Sequence, residues 1–255
     1  MHALRNIAVC LAASAMIGLG NHASAQTVIG NFETVGLDGW GTNGGPGNPA
    51  LGQGTVGVTL GNFSLDSTIA QGSYWGPSTG NLANATDISA MENSTQLSYD
   101  MTLSALYING GSFSGYAQSN AMAIQLYSPT ANAGGVLNLW IQESFGAGDT
   151  DSLGQNATWS GVDGTRHITW NLNNFTATDP NTSTTKTLDQ FLQAYGSQVT
   201  SLQIDFVEQV GGGTAATSSF FFDDVALNGV AAPEPATMAL LGLGAVALIR
   251  RRAKK

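Results

Sequence analysis

The central part of the chain alternates apolar and polar residues with a period of two. The clearest example runs from Gln96 to Leu103, where the odd-numbered positions are Leu, Tyr, Met and Leu and the even-numbered positions are polar. Such alternation predicts β-strands that turn one face to a core and the other to solvent. The pattern predicts eight strands: Thr27 to Phe32, Thr55 to Leu60, Thr95 to Ser104, Met122 to Tyr127, Val136 to Glu143, Arg166 to Leu172, Ser201 to Gln209 and Ser219 to Leu227.

One short helix is predicted between the sixth and seventh of these strands. Apolar residues recur at helical spacing from Leu188 to Tyr195, and Gly196 supplies a C-terminal stop. Loops rich in Gly, Asn, Ser and Thr separate the strands. This order predicts an all-β domain over residues 26–229, an antiparallel β-sandwich of the jelly-roll type with one short helix.

The first 25 residues have the pattern of an export signal. Arg5 precedes an apolar run from Ile7 to Leu19, and the segment ends in Ala23-Ser24-Ala25 before Gln26. A positive start, a short apolar stretch and a small-residue A-x-A site are typical of a secretory signal peptide. The apolar run is shorter than the ~20 residues of a membrane-spanning helix. We therefore expect residues 1–25 to be a signal peptide that is cleaved after Ala25.

Residues 233–255 combine three features in order. Pro233-Glu234-Pro235 comes first, an apolar run from Met238 to Ile249 follows, and the stretch from Arg250 to Lys255 is rich in basic residues. The prolines stop a helix from extending upstream, the apolar run can enter a bilayer, and the basic cluster stays on the cytoplasmic side. We expect residues 230–232 to be a linker to this tail, which inserts transiently in the inner membrane.

This tail resembles the PEP-CTERM sorting signal in its Pro-Glu-Pro motif, its Ala/Leu/Gly-rich apolar run and its terminal Arg cluster. The resemblance implies that an exosortase-type transpeptidase cuts near Pro233, Glu234 and Pro235 and removes the tail. It also implies a cell that makes extracellular polysaccharide or biofilm matrix. The alternative is an ordinary C-terminal membrane anchor. The signal specifies a destination at the cell surface or outside the cell, and leaves the activity of the domain open.

The charge balance excludes one class of partner. The chain has 8 Lys and Arg residues against 17 Asp and Glu residues, for a formal net charge of −9. All but one of the acids, and only Arg166 and Lys186 among the bases, lie between residues 26 and 232. Nucleic acid is excluded as a partner because phosphate binding requires a basic surface. Cys10 is the only cysteine and lies in the predicted signal peptide, so the body has no disulfide and no thiolate metal site.

The two ends of the body carry a second resemblance. Asn31-Phe32-Glu33 with the stretch from Leu37 to Trp40, and the closing strand from Phe220 to Leu227, are similar to the first and last strands of galactose-binding-like jelly rolls in carbohydrate-binding modules. In that family these strands are neighbours and often hold a structural calcium ion. The resemblance implies Glu33 and Asp223 as the carboxylate ligands of calcium, with backbone carbonyls completing the oxygen shell.

Alternation gives Asp223 separate support, because it places this residue on one face with Phe221, Val225 and Leu227. A carboxylate on an apolar face needs a metal, Arg166 or hydrogen-bond donors as its partner. The alternative is a solvated carboxylate at a strand end. Asp149-Thr150-Asp151 is a second, weaker cation candidate, since a lone D-x-D sequence is usually a turn.

The outward-facing positions of three strands carry groups suited to sugars. If these strands share a sheet, their polar faces merge into one surface of amides, a carboxylate and two aromatic rings. Flat rings with planar hydrogen-bonding groups predict polysaccharide binding, and the alternative is an ordinary solvated sheet face. The predicted ligand-binding residues are Gln125, Tyr127, Asn138, Trp140, Gln142 and Asp205.

The remaining Trp residues fall into two groups. Trp75, with its neighbour Tyr74, and Trp159 are expected in loops that extend this surface. Trp40 and Trp170 are expected in the core.

Catalysis finds little support in the sequence. His167 is the one His between residues 26 and 232, alternation turns it outward, and no G-x-S-x-G nucleophile elbow accompanies it. No P-loop, dinucleotide fingerprint or H-E-x-x-H motif occurs. Paired carboxylates for glycoside hydrolysis stay open, because their separation is spatial and not sequential. We therefore expect a protein that is not an enzyme.

Together these features predict an exported, exosortase-sorted protein that acts without catalysis at the cell surface or in the matrix and binds polysaccharide. The alternatives are a jelly-roll glycoside hydrolase or polysaccharide lyase, which needs two facing carboxylates or a Tyr, His or Arg cluster around His167, and a purely structural matrix protein. Because the body is nearly free of cations it repels anionic polymers, which favours neutral glycans or contacts through calcium.

Overall fold

The computed structural model describes residues 26–42, 48–70, 76–103, 116–132, 135–159, 164–211 and 217–229. The chain from Gln26 to Gly229 groups into one compact unit. The predicted signal peptide, linker and sorting tail lie outside the described residues, and so do Tyr74 and Trp75. Neither α-helix of the described part is long and apolar enough to cross a membrane.

Strands dominate the described part, as the alternation predicts. Two helices, α1 (Ala85–Glu92) and α2 (Leu188–Tyr195), and three 3-10 turns at Leu37–Gly39, Leu172–Asn174 and Gly196–Gln198 lie between them. The strands are β1 (Gln26–Gly30), β2 (Ala50–Gly54), β3 (Ser64–Ala70), β4 (Ser94–Leu103), β5 (Tyr116–Asn132), β6 (Gly135–Ser144), β7 (Thr150–Asp151), β8 (Thr158–Trp159), β9 (Thr165–Asn171), β10 (Thr176–Thr178), β11 (Thr185–Thr187), β12 (Ser201–Gly211) and β13 (Thr217–Gly229).

The strands form two main sheets. Sheet A has seven strands in the order β2-β3-β13-β4-β9-β7, and its seventh strand, β1, pairs with β13. Sheet B has four strands in the order β12-β5-β6, with β8 paired to β5, and β10 and β11 form a separate hairpin. Every strand pair among the described residues is antiparallel, which confirms the predicted antiparallel all-β class.

Aromatic side chains from the two sheets meet in the core. The ring of Phe206 in β12 stacks on that of Phe222 in β13, with 5.1 Å between the centroids, and Tyr99 of β4 lies 4.5 Å from the same Phe206. Trp40 stacks on Phe206 at 5.3 Å. Because these contacts join the two sheets face to face, the fold is a β-sandwich. Trp40 and Trp170 are buried in the core as predicted.

The first and last strands of the body are neighbours. Gln26 lies opposite Asn228, and Val28 lies opposite Ala226. β13 also pairs with β3 through its first half and with β4 along most of its length, so it is a central strand of sheet A. The neighbouring first and last strands that the second resemblance implies are therefore present.

The strand predicted from Thr55 to Leu60 is wrong. This segment is an irregular loop between β2 and β3. Gly57 has a φ of +68°, in the left-handed region, and a Cβ at this position would clash with Thr102 and come within 3.1 Å of Phe221. The loop therefore lies close against the face of sheet A that turns away from sheet B, which we call the outer face.

Two α-helices are present where one was predicted. α2 has the predicted bounds, and it buries Leu188, Phe191 and Leu192 at helical spacing. α1 buries only Ile88 and Met91, so its apolar stripe is too short to stand out in the sequence.

A β-bulge interrupts β13 at Asp223 and Asp224. The register against β4 shifts there, and Asp224 has a φ of +46°. Phe222 before the bulge and Val225 after it both face the core. They are three positions apart, and an uninterrupted strand would turn them to opposite faces. The prediction that Phe221, Asp223 and Val225 share one face is therefore wrong. The extra residue leaves Phe221 and Asp223 on the outer face and returns Val225 to the core.

Candidate functional site

Sheet B turns one face away from the core, and most of the predicted ligand-binding residues share it. Gln125 of β5 lies opposite Trp140 of β6, and Tyr127 lies opposite Asn138. Gln203 of β12 lies on the other side of Gln125. Directly opposed residues of an antiparallel pair project to the same face, so the register brings these side chains together. We name this surface the amide–aromatic face; it comprises Gln125, Tyr127, Asn138, Trp140, Gln142 and Gln203.

Both aromatic side chains of the amide–aromatic face reach solvent. Tyr127 is 36% exposed and Trp140 is 39% exposed. The indole Nε1 of Trp140 donates a hydrogen bond to Oε1 of Gln142 at 3.4 Å. Asn138 and Gln142 are exposed, and the other two amides are half-buried. The face therefore offers aromatic rings and amide groups, none of which carries a charge.

Asp205 does not contribute to the exposed surface. Its side chain is only 2% exposed, and the hydroxyl of Ser78 donates to its carboxylate. The segment around Ser78 runs along the edge of β12, where Thr79 N donates to Ile204 O at 2.9 Å. The expectation that Asp205 is a surface carboxylate is therefore wrong. Alternation shows which face of β12 a residue is on, but it cannot show that another segment covers the edge of that strand.

Trp159 also lies in the interior and not on the surface. It is fully buried in β8, and the guanidinium of Arg166 lies 4.4 Å from the centroid of its ring. Arg166 projects from β9 into the interior, where its Nη1 donates to Thr158 O at 2.7 Å. The expectation that Trp159 extends the sugar-binding surface from a loop is therefore wrong, because a buried cation holds its ring in the interior.

Asp151, in the second predicted cation site, forms a buried ion pair. Its Oδ2 accepts from Nη1 of Arg166 at 3.1 Å and from Ala157 N at 2.9 Å, and its Oδ1 accepts from Leu153 N. Asp149 accepts backbone N–H groups from Gly146 and Asn171. Both carboxylates therefore hold turns of the chain in place.

Glu33 follows β1 and binds a neighbouring loop. Its Oε1 accepts from Asn62 N at 2.5 Å and from Phe63 N at 2.8 Å, and its Oε2 accepts from Asn62 Nδ2 at 3.1 Å. These hydrogen bonds to the charged form lower the pKa of Glu33.

Asp223 lies at the bulge of β13, fully buried, and binds the same loop. Its Oδ2 accepts from Thr59 N at 2.6 Å and from Leu60 N at 2.7 Å. Its Oδ1 accepts from Asp224 N at 2.8 Å. Of the three partners that the sequence left open for Asp223, namely a metal, Arg166 or hydrogen-bond donors, the structure supplies the donors. A calcium ion between Glu33 and Asp223 stays a prediction.

His167 lies on the outer face of sheet A, away from the amide–aromatic face. Its Nδ1 is 2.7 Å from Oδ1 of Asp100, and this hydrogen bond raises the pKa of His167 although burial opposes it. Burial opposes ionisation of Asp100, but hydrogen bonds from His167 and Thr59 outweigh it and lower its pKa. Asp224 is a further charged neighbour of His167. Arg166, the next residue in sequence, turns the opposite way into the interior.

Residues 231–253 match a family model described as the PEP-CTERM protein-sorting motif. The match confirms the sorting signal that the sequence analysis placed at residues 233–255. It indicates an exported protein that an exosortase sorts to the cell surface or the exterior. No curated protein matches the chain.

Several solved structures are similar to the chain at low identity. The CBM22-1 xylan-binding domain from Paenibacillus barcinonensis Xyn10C is 15% identical, with a TM-score of 0.41 over 82% of this chain and 99% of that chain. CtCBM11 is 17% identical, with a TM-score of 0.40 over 81% and 96% of the two chains. CBM28, a module specific for non-crystalline cellulose, is 13% identical, with a TM-score of 0.39 over 80% and 94%. All three are carbohydrate-binding modules.

Proposed function

We propose that this protein binds a neutral polysaccharide outside the cell, without catalysis, through the amide–aromatic face of sheet B. The observation that carries the proposal is the register of β5 and β6, which sets the exposed rings of Trp140 and Tyr127 among side-chain amides. A sugar ring packs its apolar face on an aromatic ring, and its hydroxyls exchange hydrogen bonds with amides, which both donate and accept. The sheet presents both kinds of group on a rigid support.

Charge narrows the class of polysaccharide. The amide–aromatic face carries no charged group, and the two basic residues of the body are both held in ion pairs. Arg166 pairs with Asp151 at 3.1 Å and is fully buried, and Lys186 pairs with Asp179 at 2.6 Å. An acidic polysaccharide therefore meets no free basic side chain on the described part of the domain, whereas a neutral one needs none.

We also propose the route to this location. Residues 1–25 direct export and are cleaved after Ala25, and the tail holds the protein in the inner membrane until an exosortase-type enzyme cuts near Pro233, Glu234 and Pro235. The sorting-motif match at residues 231–253 supports the second step. The mature protein is then released to the surface or the matrix with its polysaccharide-binding face intact.

The binding proposal is tested by affinity electrophoresis of the purified protein in gels that contain xylan, mannan or a soluble cellulose derivative. We expect retardation in at least one of these neutral glycans. The substitutions Trp140→Ala and Tyr127→Ala each remove one stacking surface, and each should weaken the affinity about tenfold, the equivalent of about 1.4 kcal/mol.

Leu153→Ala is the matched control, because it removes an exposed apolar side chain, 55% exposed, that lies outside the amide–aromatic face. It should be retarded like the wild type. No retardation in any neutral glycan, or wild-type retardation of the Trp140 variant, would contradict the proposal. Release of reducing ends or of unsaturated products during incubation would favour the hydrolase or lyase alternative.

A further inference from the structure

Two carboxylates from distant parts of the chain hold one short loop of the domain. Glu33 follows the first strand of sheet A, and Asp223 lies in the last. Both accept hydrogen bonds from residues 59–63, which we name the anchored loop. The resemblance to carbohydrate-binding modules implies these same two carboxylates as calcium ligands. The contacts of their oxygens decide whether they bind calcium or hold the loop.

All four carboxylate oxygens already accept hydrogen bonds within the protein. In Glu33, Oε1 accepts from two backbone N–H groups and Oε2 from a side-chain amide. In Asp223, Oδ2 accepts from two backbone N–H groups and from the hydroxyl of Thr59, and Oδ1 accepts from Asp224 N. Each oxygen therefore faces the positive end of an N–H bond.

This arrangement does not fit calcium. The ion takes 6–8 oxygen ligands at about 2.3–2.6 Å, but Oε1 of Glu33 and Oδ2 of Asp223 each already accept from two backbone N–H groups, so neither carboxylate has both oxygens free to bind it. The described residues contain no group of three or more His, Cys, Asp or Glu side chains that could hold a metal ion. A cation between Glu33 and Asp223 would have to displace the hydrogen bonds that position the anchored loop.

The local backbone is built for this contact. Gly61 has a φ of +82°, and a Cβ there would clash with the carboxylate of Glu33. On the other side of Glu33, the carboxylate of Asp38 accepts from Phe32 N at 2.5 Å and fixes the turn that carries Glu33. Thus both the loop and the carboxylate that holds it are positioned for direct N–H contact.

We infer that Glu33 and Asp223 anchor this loop through backbone hydrogen bonds and are not calcium ligands, so that the domain folds and keeps its stability without divalent cations. Gly54 and Gly57, which come just before the anchored loop, lie against Phe221, which is 1% exposed on the outer face although it lies outside the main core cluster. The two carboxylates thereby hold the loop in place, a task that a structural ion performs in other proteins.

The inference is tested by thermal unfolding of the full chain, first treated with EDTA and then measured with and without excess calcium chloride. A site occupied at 100 times its Kd would raise the Tm of a domain of this size by roughly 5–10 °C. We expect a change of less than about 1 °C. Calorimetric titration with calcium chloride should accordingly give no saturable heat.

Three variants separate anchoring from ion binding. Glu33→Gln and Asp223→Asn exchange an acceptor oxygen for a donor, and Gly61→Ala pushes the loop off an intact carboxylate. Each of the three should lower the Tm, and for each variant the decrease should be the same in EDTA as in calcium. The control Glu143→Gln, at a partly exposed carboxylate on β6, should leave the Tm unchanged.

The inference is overturned if calcium raises the Tm of the wild type by several degrees and Glu33→Gln or Asp223→Asn abolishes that rise. A rise that persists in both variants places an ion elsewhere; it overturns the claim that the domain needs no divalent cation for its stability, although the two carboxylates are then not its ligands. Because the wild-type titration needs no substitution, its result holds even if a variant fails to fold.

Discussion

Several carboxylates in this domain accept hydrogen bonds from backbone N–H groups. Asp38 accepts from Asn31 N at 3.1 Å, and Asp149 accepts from Asn171 N at 2.6 Å and Gly146 N at 2.7 Å. Hydrogen bonds to an ionised acceptor are shorter and stronger than those between neutral groups. In a body with only 2 basic residues, Arg166 and Lys186, several carboxylates thus find their partners in the main chain.

Glu208 differs from these acids. It is fully buried between the sheets, its Oε2 accepts from Ser67 Oγ at 2.9 Å, and its Oε1 has no partner among the described residues. Burial raises the pKa of Glu208 well above its ordinary 4.5, although the hydrogen bond from Ser67 opposes the shift, and the charge of Asp66 adds to it. The folded protein therefore favours the neutral acid.

The substitution Glu208→Gln should stabilise the protein at neutral and alkaline pH. Above pH 4.5 the unfolded chain loses a proton that the folded protein keeps, so the stability from Glu208 is full below pH 4.5 and is lost as the pH rises through the raised pKa. The Gln variant lacks this loss. Its advantage should grow by up to about 1.4 kcal/mol per pH unit within that window, as measured by thermal unfolding at several pH values. Parallel curves for the two proteins would contradict the prediction.

Alternation predicted the exposed sides of Gln125, Tyr127, Asn138, Trp140 and Gln142 because these residues lie in uninterrupted strands, where a period of two fixes the face. It failed where a contact distant in sequence decides the outcome. Asp205 has the right face but is covered by a segment more than a hundred residues earlier in the chain. Asp223 was wrongly assigned to the core face with Val225, because a bulge between them adds a residue and shifts the phase.

At the scale of elements, one carboxylate joins the β10–β11 hairpin to α2. Asp179 is buried in the turn of the hairpin, where it binds Lys186 Nζ at 2.6 Å and accepts from Asn181 N at 2.8 Å and Thr182 Oγ1 at 3.1 Å. It also accepts from the hydroxyl of Tyr195 at the end of α2, at 2.7 Å. Burial opposes ionisation, but these bonds outweigh it and hold the pKa of Asp179 far below its usual value.

The substitution Asp179→Asn should destabilise the hairpin and its contact with α2. The amide is uncharged, and its nitrogen cannot accept from Lys186 or Tyr195, so buried donors lose their partner and the Tm should fall by roughly 5 °C. The stability from Asp179 is present above pH 3.8 and is lost as the pH falls toward its lowered pKa, so the difference from wild type should shrink in acid. Thr182→Val removes one donor and should cost less. Equal effects of the two variants would contradict this account.

The elements were predictable in proportion to how much apolar surface each buries. α2 buries three residues on one face and was found with its bounds, and β4, β6, β9, β12 and β13 were found within two residues at each end. Only the middle of β5 was predicted, from Met122 to Tyr127. β3 was missed because Ser67 takes an inward position between Leu65 and Ile69, where it donates to Glu208. The false strand at Thr55 to Leu60 has apolar alternation, but contacts with carboxylates and the left-handed Gly57 hold it as a loop.

For the molecule as a whole, charge predicts how binding responds to salt. The amide–aromatic face is uncharged and both basic residues of the body are held in ion pairs. Electrostatic contacts weaken as the Debye length shrinks, whereas stacking and amide contacts do not. We therefore expect the Kd for a bound neutral glycan to change less than about twofold between about 0.05 M and 0.5 M sodium chloride.

An acidic polyuronate provides the comparison. It should not be retarded at either salt concentration, with or without calcium. Retardation at low salt that disappears at high salt would show that a basic surface exists, and would contradict the assignment of a neutral ligand.

The pairing of β1 with β13 sets the order in which this protein can mature. Gln26 lies opposite Asn228, and β13 pairs with β1, β3 and β4 and joins the β2–β3 pair to the β4–β9 pair. Sheet A therefore cannot form completely until the last strand of the body is available, and such non-local pairings form slowly. A prematurely terminated product lacks the central strand of sheet A and stays open to proteases. The topology itself thus acts as a check that only complete chains become folded, long-lived proteins outside the cell.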